Sequence, residues 1–105
     1  MTTVTDISLD EILAKLRALE PAIRAHGVTR LALFGSRVRG DHRPDSDLDI
    51  FLEHARLPSG RPIFDLFKVM HLIEDSLGLP PHIMTDSELT PRLRQRMADD
   101  LIEVF

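Results

Sequence analysis

The sequence contains no cysteine, no tryptophan and no tyrosine among its 105 residues. Without cysteine the chain cannot build disulfides, thiolate nucleophiles, cysteine-ligated zinc fingers or iron–sulfur clusters. A chain of this kind fits a reducing compartment, and we expect it to be cytoplasmic. Its longest purely apolar run, Leu31–Phe34, is four residues long, whereas a membrane-spanning helix needs about 20. The polar start Met1–Asp6 is not typical of a signal peptide.

The composition predicts one small globular domain over residues 1–105. Hydrophobic residues make up 43% of the chain, which suffices for a single core, and 13 basic against 17 acidic residues give a net charge of −4. Such a chain is too hydrophobic for intrinsic disorder. Because it is weakly acidic overall, we do not expect it to bind duplex DNA or a membrane.

The charges are unevenly distributed along the sequence. Residues 30–43 carry four arginines and one acid, whereas residues 45–53 carry four acids and no base. A site that holds a polyphosphate and its accompanying cations would need both signs of charge in this way. The alternative is a solvated loop in which neighbouring opposite charges neutralise each other, and charge alone favours that alternative.

Local patterns predict a small α/β fold with a short sheet flanked by helices. Three strands are expected, at Val28–Phe34, Asp47–Leu52 and Pro81–Thr85. Helices are expected from a capping box at Ser8 to Leu19 with a break at Pro21, over Ile63–Leu77, and from Pro91 onward. A loop is expected over His54–Arg61. The apolar stripe of the second helix is expected to be core and comprises Ile63, Phe67, Met70, Ile73 and Leu77.

One motif carries chemistry: Gly35-Ser36, then ten residues, then Asp47-Leu48-Asp49. It is not a P-loop, because Asp41 stands where that motif needs lysine. It is not an EF-hand either, because Ile50 replaces the required glycine and Arg56 the required glutamate. A glycine after a strand lets a phosphate approach the backbone, and Ser36 adds a hydroxyl and an N–H at the start of a helical turn.

Asp47 and Asp49 are two residues apart on a predicted strand, so both carboxylates should point to the same side, with Cα atoms about 7 Å apart. Two carboxylates at that spacing can share Mg²⁺ ions about 3.5–4 Å apart, as in phosphoryl-transfer enzymes. The alternative is a turn at Gly35-Ser36 followed by two aspartates on a solvated sheet face. Aspartate is depleted in strands, which argues against this alternative.

These residues resemble the DNA polymerase β-type nucleotidyltransferase superfamily, and the whole chain resembles its minimal nucleotidyltransferase (MNT) family. The stretches Leu31–Gly40 and Asp45–Ile50 are similar to the family's Gly-Ser turn and its Ser-Asp-x-Asp strand. The resemblance implies a small mixed β-sheet flanked by helices. It also implies that Gly35, Ser36 and Arg37 bind a nucleoside triphosphate such as ATP, and that Asp47 and Asp49 are catalytic and bind Mg²⁺.

Proteins of this family commonly pair with a HEPN-domain RNase toxin, and several transfer AMP from ATP onto a hydroxyl of that toxin. The resemblance therefore implies an antitoxin that acts as a protein adenylyltransferase, in a homo- or hetero-oligomer. Two surfaces are expected to be exposed for docking, the Arg92–Arg96 helix and the C-terminal Val104-Phe105. The alternative is a catalytically weak or inactive antitoxin that neutralises its partner by contact.

His82 is the position at which this chain departs from the family. The family's third carboxylate lies in a Val-Asp-Leu-Val-Thr-like strand, which here is Pro81–Thr85. The next acid of the same strand parity is Asp86, about 13 Å along an extended chain. Mg²⁺ prefers oxygen ligands, so His82 is a poor substitute as a ligand. It is either a catalytic general base or an ordinary polar residue in a site that has lost catalysis.

Overall fold

The computed structural model describes residues 7–43 and 45–105 of the chain. The expectation for Met1–Asp6 therefore lies outside the described residues. The helices are α1 (Leu9–Ala18), α2 (Glu20–Ala25), α3 (Ser36–Arg39), α4 (Leu66–Leu77) and α5 (Pro91–Ala98), with a 3₁₀ turn at Asp86–Glu88. The strands are β1 (Val28–Phe34), β2 (Leu48–Arg56), β3 (Pro62–Ile63), β4 (Pro81–Thr85) and β5 (Ile102–Glu103). No helix in the described ranges is both long and apolar enough to span a bilayer.

The five strands form one mixed sheet built around β1 and β2, which confirms the predicted fold class. β1 pairs antiparallel with β2 on one side and with β5 on the other. The opposite side of β2 pairs in parallel with β4 near its start and antiparallel with β3 near its end. The parallel β2–β4 pair requires a crossover connection, and α4 lies within it.

The two faces of the sheet are packed differently. One face carries the main core, in which Leu31, Leu33 and Ile50 are fully buried and lie in the same apolar cluster as residues of α1, α2 and α4. The other face has a smaller cluster of Ala32, Phe51 and the α5 residue Met97. Strand alternation puts Asp49 on the same face as Phe51. The candidate carboxylate therefore lies on the lightly covered face.

Side-chain caps and glycines set the helix ends where the sequence predicted them. The Ser8 hydroxyl accepts a hydrogen bond from the Glu11 N–H, and the Thr90 hydroxyl accepts one from the Leu93 N–H, each at 3.1 Å. Gly78 ends α4 in the left-handed conformation. Around Pro21 the predicted break is also confirmed, because α1 ends at Ala18 and a separate short helix follows.

The boundary between β2 and α4 was predicted wrongly. Residues 54–56 continue β2 instead of forming a loop, because Val28 pairs with His54 and Ile63 pairs with Ala55. α4 starts only at Leu66, where the Asp65 carboxylate accepts a hydrogen bond from the Lys68 N–H at 3.1 Å. The helix therefore starts three residues later than predicted, because Ile63 pairs in the sheet and Asp65 caps the helix.

The inner stripe of α4 agrees with the prediction at Ile73 and Leu77 but not at Ile63, Phe67 and Met70. Phe67 is 72% exposed and Ile63 is 47% exposed, so neither belongs to the core. The residues of α4 that the core buries are Val69, Ile73 and Leu77, spaced four apart.

The chain end also corrects a prediction. Val104-Phe105 is not a free docking segment, because Val104 is buried and its N–H donates to the Leu31 carbonyl at 2.9 Å. The Leu31 N–H in turn donates to the Phe105 carbonyl at 3.0 Å. The Arg24 guanidinium lies 4.6 Å from the centre of the Phe105 ring. The C-terminal residues thus continue the sheet beyond β5.

Candidate active site

The turn between β1 and α3 brings Gly35 against Asp49. Gly35 has φ 85° and ψ −160°, a conformation open essentially to glycine alone. A Cβ at this position would overlap the Asp49 carboxylate and come within 3.0 Å of its Cγ. The β1–β2 register explains the contact, since Phe34 pairs directly with Asp49. The Gly-Ser turn and the Asp strand, separate in sequence, therefore form one site.

His82 lies beside Asp49 on the neighbouring strand. The two residues are register partners in the parallel β2–β4 pair, and His82 Nδ1 is 3.3 Å from Asp49 Oδ1. The imidazole is 59% exposed and the carboxylate 26%. Asp86 is engaged elsewhere, because its carboxylate accepts a hydrogen bond from Arg56 at 3.1 Å. The structure thus places an imidazole next to the carboxylate of this site.

Asp47 lies two residues before Asp49 and outside β2. It is exposed and immediately precedes β2, which starts at Leu48. Of the two aspartates, Asp49 lines the adjacent cavity, while Asp47 is not among the described residues that do. Its predicted role as a metal ligand stays a prediction.

A cavity of about 350 Å³ opens next to the Gly35–Asp49 contact. Its walls come from the end of β1, from α3, from β2 and from α5 with the turn after it. The lining residues are Phe34, Gly35, Ser36, Arg39, Asp49, Leu93, Arg96, Met97 and Asp100. The cavity combines an apolar wall with two arginines and two carboxylates. Arg39 of the basic segment and Asp49 of the acidic segment therefore line the same cavity.

Arg37, expected to contact the nucleotide, lies in a different environment. It is only 3% exposed and is not among the described residues that line the cavity. Its Nε and Nη2 both donate to the Ser46 carbonyl, at 3.0 and 2.9 Å. The guanidinium therefore ties α3 to the loop that leads into β2, and in this structure Arg37 positions the site instead of facing it.

Arg39 is the arginine of the Gly-Ser turn that reaches the cavity. Its Nη1 donates to Asp100 at 2.8 Å and its Nε to Asp41 at 3.1 Å. The pKa of the Arg39 guanidinium is raised above its ordinary value, first by the hydrogen bond to Asp100 and then by that to Asp41. The two carboxylates therefore stabilise the charged form of the guanidinium.

Sequence reasoning missed the α5 side of the site. The sequence predicts a helix from Pro91 onward, in which Leu93 and Met97 lie four residues apart and Arg96 precedes Met97, but it assigned these residues no role at the site. Nothing local in the sequence indicated Asp100, which lies 61 positions from Arg39. The mixture of an apolar stripe with a flanking arginine was the one signal that pointed to a cavity wall.

The expected magnesium ion stays a prediction for this site, whose carboxylates are ligands of the kind that Mg²⁺ prefers. Within residues 7–43 and 45–105, no group of three or more histidine, aspartate or glutamate side chains is arranged to hold a metal ion. Mg²⁺ is usually bound through one or two carboxylates together with substrate phosphates. Asp49, at the cavity beside the Gly-Ser turn, supplies one such carboxylate, and the exposed Asp47 is available nearby in sequence for a second.

Comparison with known proteins gives an independent result. Residues 9–104 match the model of the nucleotidyltransferase domain family. A Methanocaldococcus jannaschii protein named as a protein adenylyltransferase is 30% identical over 89 residues, which are 85% of this chain and 92% of that protein. The protein adenylyltransferase MntA of Thermococcus cleftensis is 28% identical over 99 residues, 93% of this chain and 97% of that protein.

Solved structures show the same fold. A structure described as a minimal nucleotidyltransferase superposes with a TM-score of 0.75 at 30% identity, covering 94% of this chain and 98% of the other. The complex of a tri-AMPylated Shewanella oneidensis HEPN toxin with an MNT antitoxin matches with a TM-score of 0.57 at 13% identity, covering 90% of this chain and 71% of the matched chain. At that identity the second match shows the fold alone.

Proposed function

This chain belongs to the nucleotidyltransferase domain family, and we propose that it transfers AMP from ATP to a hydroxyl group of a partner protein. The observation that carries the proposal is the contact between Gly35 and Asp49. It places a glycine turn that a phosphate can approach directly beside a carboxylate at the wall of a cavity. The adenylyltransferase names of the relatives support AMP as the transferred group.

The residues of the cavity suggest distinct roles. Ser36 offers its hydroxyl and backbone N–H to the triphosphate, and Arg39 and Arg96 offer the cationic groups of the wall. Leu93 and Met97 provide an apolar surface suited to the base or the sugar. Asp49, with Asp47, would hold the Mg²⁺ that accompanies ATP and neutralises phosphate charge.

The reaction itself is a substitution at the α-phosphate. The hydroxyl oxygen of the acceptor attacks phosphorus in line, a new P–O bond forms, and the bond to the pyrophosphate leaving group breaks. The hydroxyl proton must go to a base. His82 is 59% exposed beside Asp49, so its imidazole is open to an incoming acceptor.

The partner is proposed to be a HEPN-domain toxin, which would make this protein its antitoxin. The support is the resemblance of the sequence to MNT proteins, which commonly pair with such toxins, and an MNT antitoxin solved in complex with an AMPylated HEPN toxin shares the fold of this chain. The reaction requires ATP, which agrees with the cytoplasm as the place of action.

A second function is favoured by one observation. His82 occupies the position beside Asp49 where the family resemblance implies a third acid. A site of this kind would bind nucleotide better than it turns it over. The protein would then neutralise its partner by contact.

The test is nucleotide binding followed by transfer. We expect ATP with Mg²⁺ to stabilise the wild type by about 1.4 kcal/mol at ten times Kd, a shift of several degrees in Tm. Asp49→Asn should lose the Mg²⁺-dependent part of that shift. Asp45→Asn, which removes the same charge from an exposed position before β2, should keep it. Equal shifts in wild type and Asp49→Asn would refute the proposed site.

Transfer is then measured with labelled ATP and the co-purified partner. Label on the partner supports the adenylyltransferase. Binding of ATP and of the partner without any label supports the contact-only antitoxin.

A further inference from the structure

The Arg39 guanidinium at the cavity wall donates hydrogen bonds to two carboxylates. Asp41, two residues further along the chain, accepts from its Nε, and Asp100 accepts from its Nη1. The Asp100 bond is the shorter, at 2.8 Å against 3.1 Å, and its carboxylate is the more buried, 20% exposed against 63% for Asp41. Asp100 is therefore the better ordered of the two partners.

Asp100 is itself fixed by its neighbours. Its N–H donates to the carbonyl of Met97 at 3.1 Å, and Met97 is only 5% exposed. Two residues later the chain enters β5, where Ile102 pairs with Leu33. The carboxylate is thus anchored between a buried helix residue and a strand, whereas Arg39 ends a helix of only four residues.

A guanidinium has five N–H donors. Asp41 and Asp100 accept from Nε and Nη1, and Nη2 has no partner within the described part of the chain. A bidentate or forked contact to phosphate uses such remaining donors. The two carboxylates therefore hold Arg39 in one place while leaving one edge of its guanidinium open to a ligand.

We infer that Asp100 is a positioning residue for nucleotide binding, which orients Arg39 toward the phosphates of ATP. This inference rests on the proposed function, because it concerns the same cavity. Two effects of Asp100 oppose each other. Its negative charge repels a polyphosphate. Its hydrogen bond, however, holds the Arg39 side chain in place, so that this side chain loses less conformational entropy when ATP binds. Fixing a side chain of this kind corresponds to about a three- to ten-fold change in affinity, and we infer that ordering outweighs repulsion.

The experiment is a double-mutant cycle on the Kd of ATP with Mg²⁺, measured by titration calorimetry on the full chain. Asp100→Ala should weaken ATP binding about three- to ten-fold. In an Arg39→Ala background the same change should cause no loss of affinity and should leave ATP binding unchanged or tighter, because only the repulsion by Asp100 remains there. Asp99→Ala is the matched control. It removes the same charge from the neighbouring exposed position, and it should leave ATP binding unchanged or slightly tighter.

Each outcome decides the inference. Unchanged or tighter ATP binding in Asp100→Ala would show that repulsion dominates and would overturn it. So would an equal loss in the Arg39→Ala background, since Asp100 would then act through general stability. If Asp100→Ala does not fold, Asp100→Asn should show a smaller loss of the same sign. If the wild type binds ATP and Asp100→Ala binds it equally well, only this inference is refuted. If the wild type does not bind ATP, the proposed function is refuted as well.

Discussion

The backbone of Gly35 lies against the carboxylate of Asp49, so closely that a methyl group on residue 35 would overlap it. This contact joins two segments that are 14 positions apart and sets the geometry of the candidate site. It also means that glycine is required twice, once for its φ of 85° and once for space.

Gly35→Ala should therefore abolish the Mg²⁺-dependent stabilisation by ATP. The backbone conformation alone costs about 1–3 kcal/mol for a non-glycine residue, and the added methyl group must displace Asp49. Gly40→Ala is the control, since Gly40 has a similar φ of 84° but open space around its Cα. It should lose stability and keep nucleotide binding. Calorimetric ATP titration and Tm separate the two variants, and retained binding in Gly35→Ala would contradict the structure.

Arg37→Met should destabilise the fold without removing a nucleotide contact. The buried guanidinium holds the Ser46 carbonyl with two hydrogen bonds, and leaving a buried polar group unpaired costs about 1–3 kcal/mol. Urea denaturation measures the loss. Arg43→Met, at an exposed position, should change stability by less than about 0.5 kcal/mol. If Arg37→Met keeps full stability and loses ATP binding, the original assignment of Arg37 to the nucleotide is correct.

His82→Asp tests whether the absence of the family's third carboxylate lowers the rate of AMP transfer at this site. The substitution puts a smaller carboxylate beside Asp49, where the register already places residue 82. We expect it to increase AMP transfer from labelled ATP to the partner, with little change in Tm. The loss of a base typically costs about 10²–10⁴-fold in rate. His82→Ala is the comparison variant. If the wild type is active and both variants are inactive, His82 is the working base.

Glu103→Gln should lower stability at neutral pH but not in acid. Arg30 donates to both carboxylate oxygens of Glu103, at 2.7 and 2.8 Å, and this hydrogen bonding lowers the pKa of Glu103 below its ordinary value. A depressed carboxylate pKa contributes stability that is complete above the unfolded value of about 4.3 and is lost as the pH falls through the folded value.

Both side chains of that pair are partly exposed, so the contribution is at most about 1 kcal/mol. The measurement is the difference in unfolding free energy between wild type and Glu103→Gln at pH 7 and at pH 3. The difference should shrink toward pH 3. A constant difference would mean that the variant acts through packing of β5 instead of charge.

Much of the fold was predictable because its signals are local. β1 has the predicted bounds, Val28–Phe34, since a run of apolar and β-branched residues ends at a glycine. The Ser8 and Thr90 caps and the Gly78 end follow from side-chain and backbone chemistry within one helical turn. The Gly-Ser turn and the Asp strand can also be recognised in the sequence. A glycine directly follows a run of strand-forming residues, and aspartate, which is depleted in strands, occurs at Asp49 within one.

The remainder depended on which segments meet in space. Sequence alone could not tell that Arg37 is buried on Ser46 while Arg39 faces the cavity, since the two arginines are alike until their neighbours are known. The predicted stripe of α4 holds at Ile73 and Leu77 but not at Ile63, which pairs with Ala55 in the sheet, nor at Phe67, which is exposed. Asp100 joins the site only because β5 pairs with β1 and carries the end of α5 to Arg39. The sequence by itself determined the elements and the chemistry they carry. The tertiary structure decided the partners of each charge, because burial and pairing arise from contacts between residues far apart in the chain.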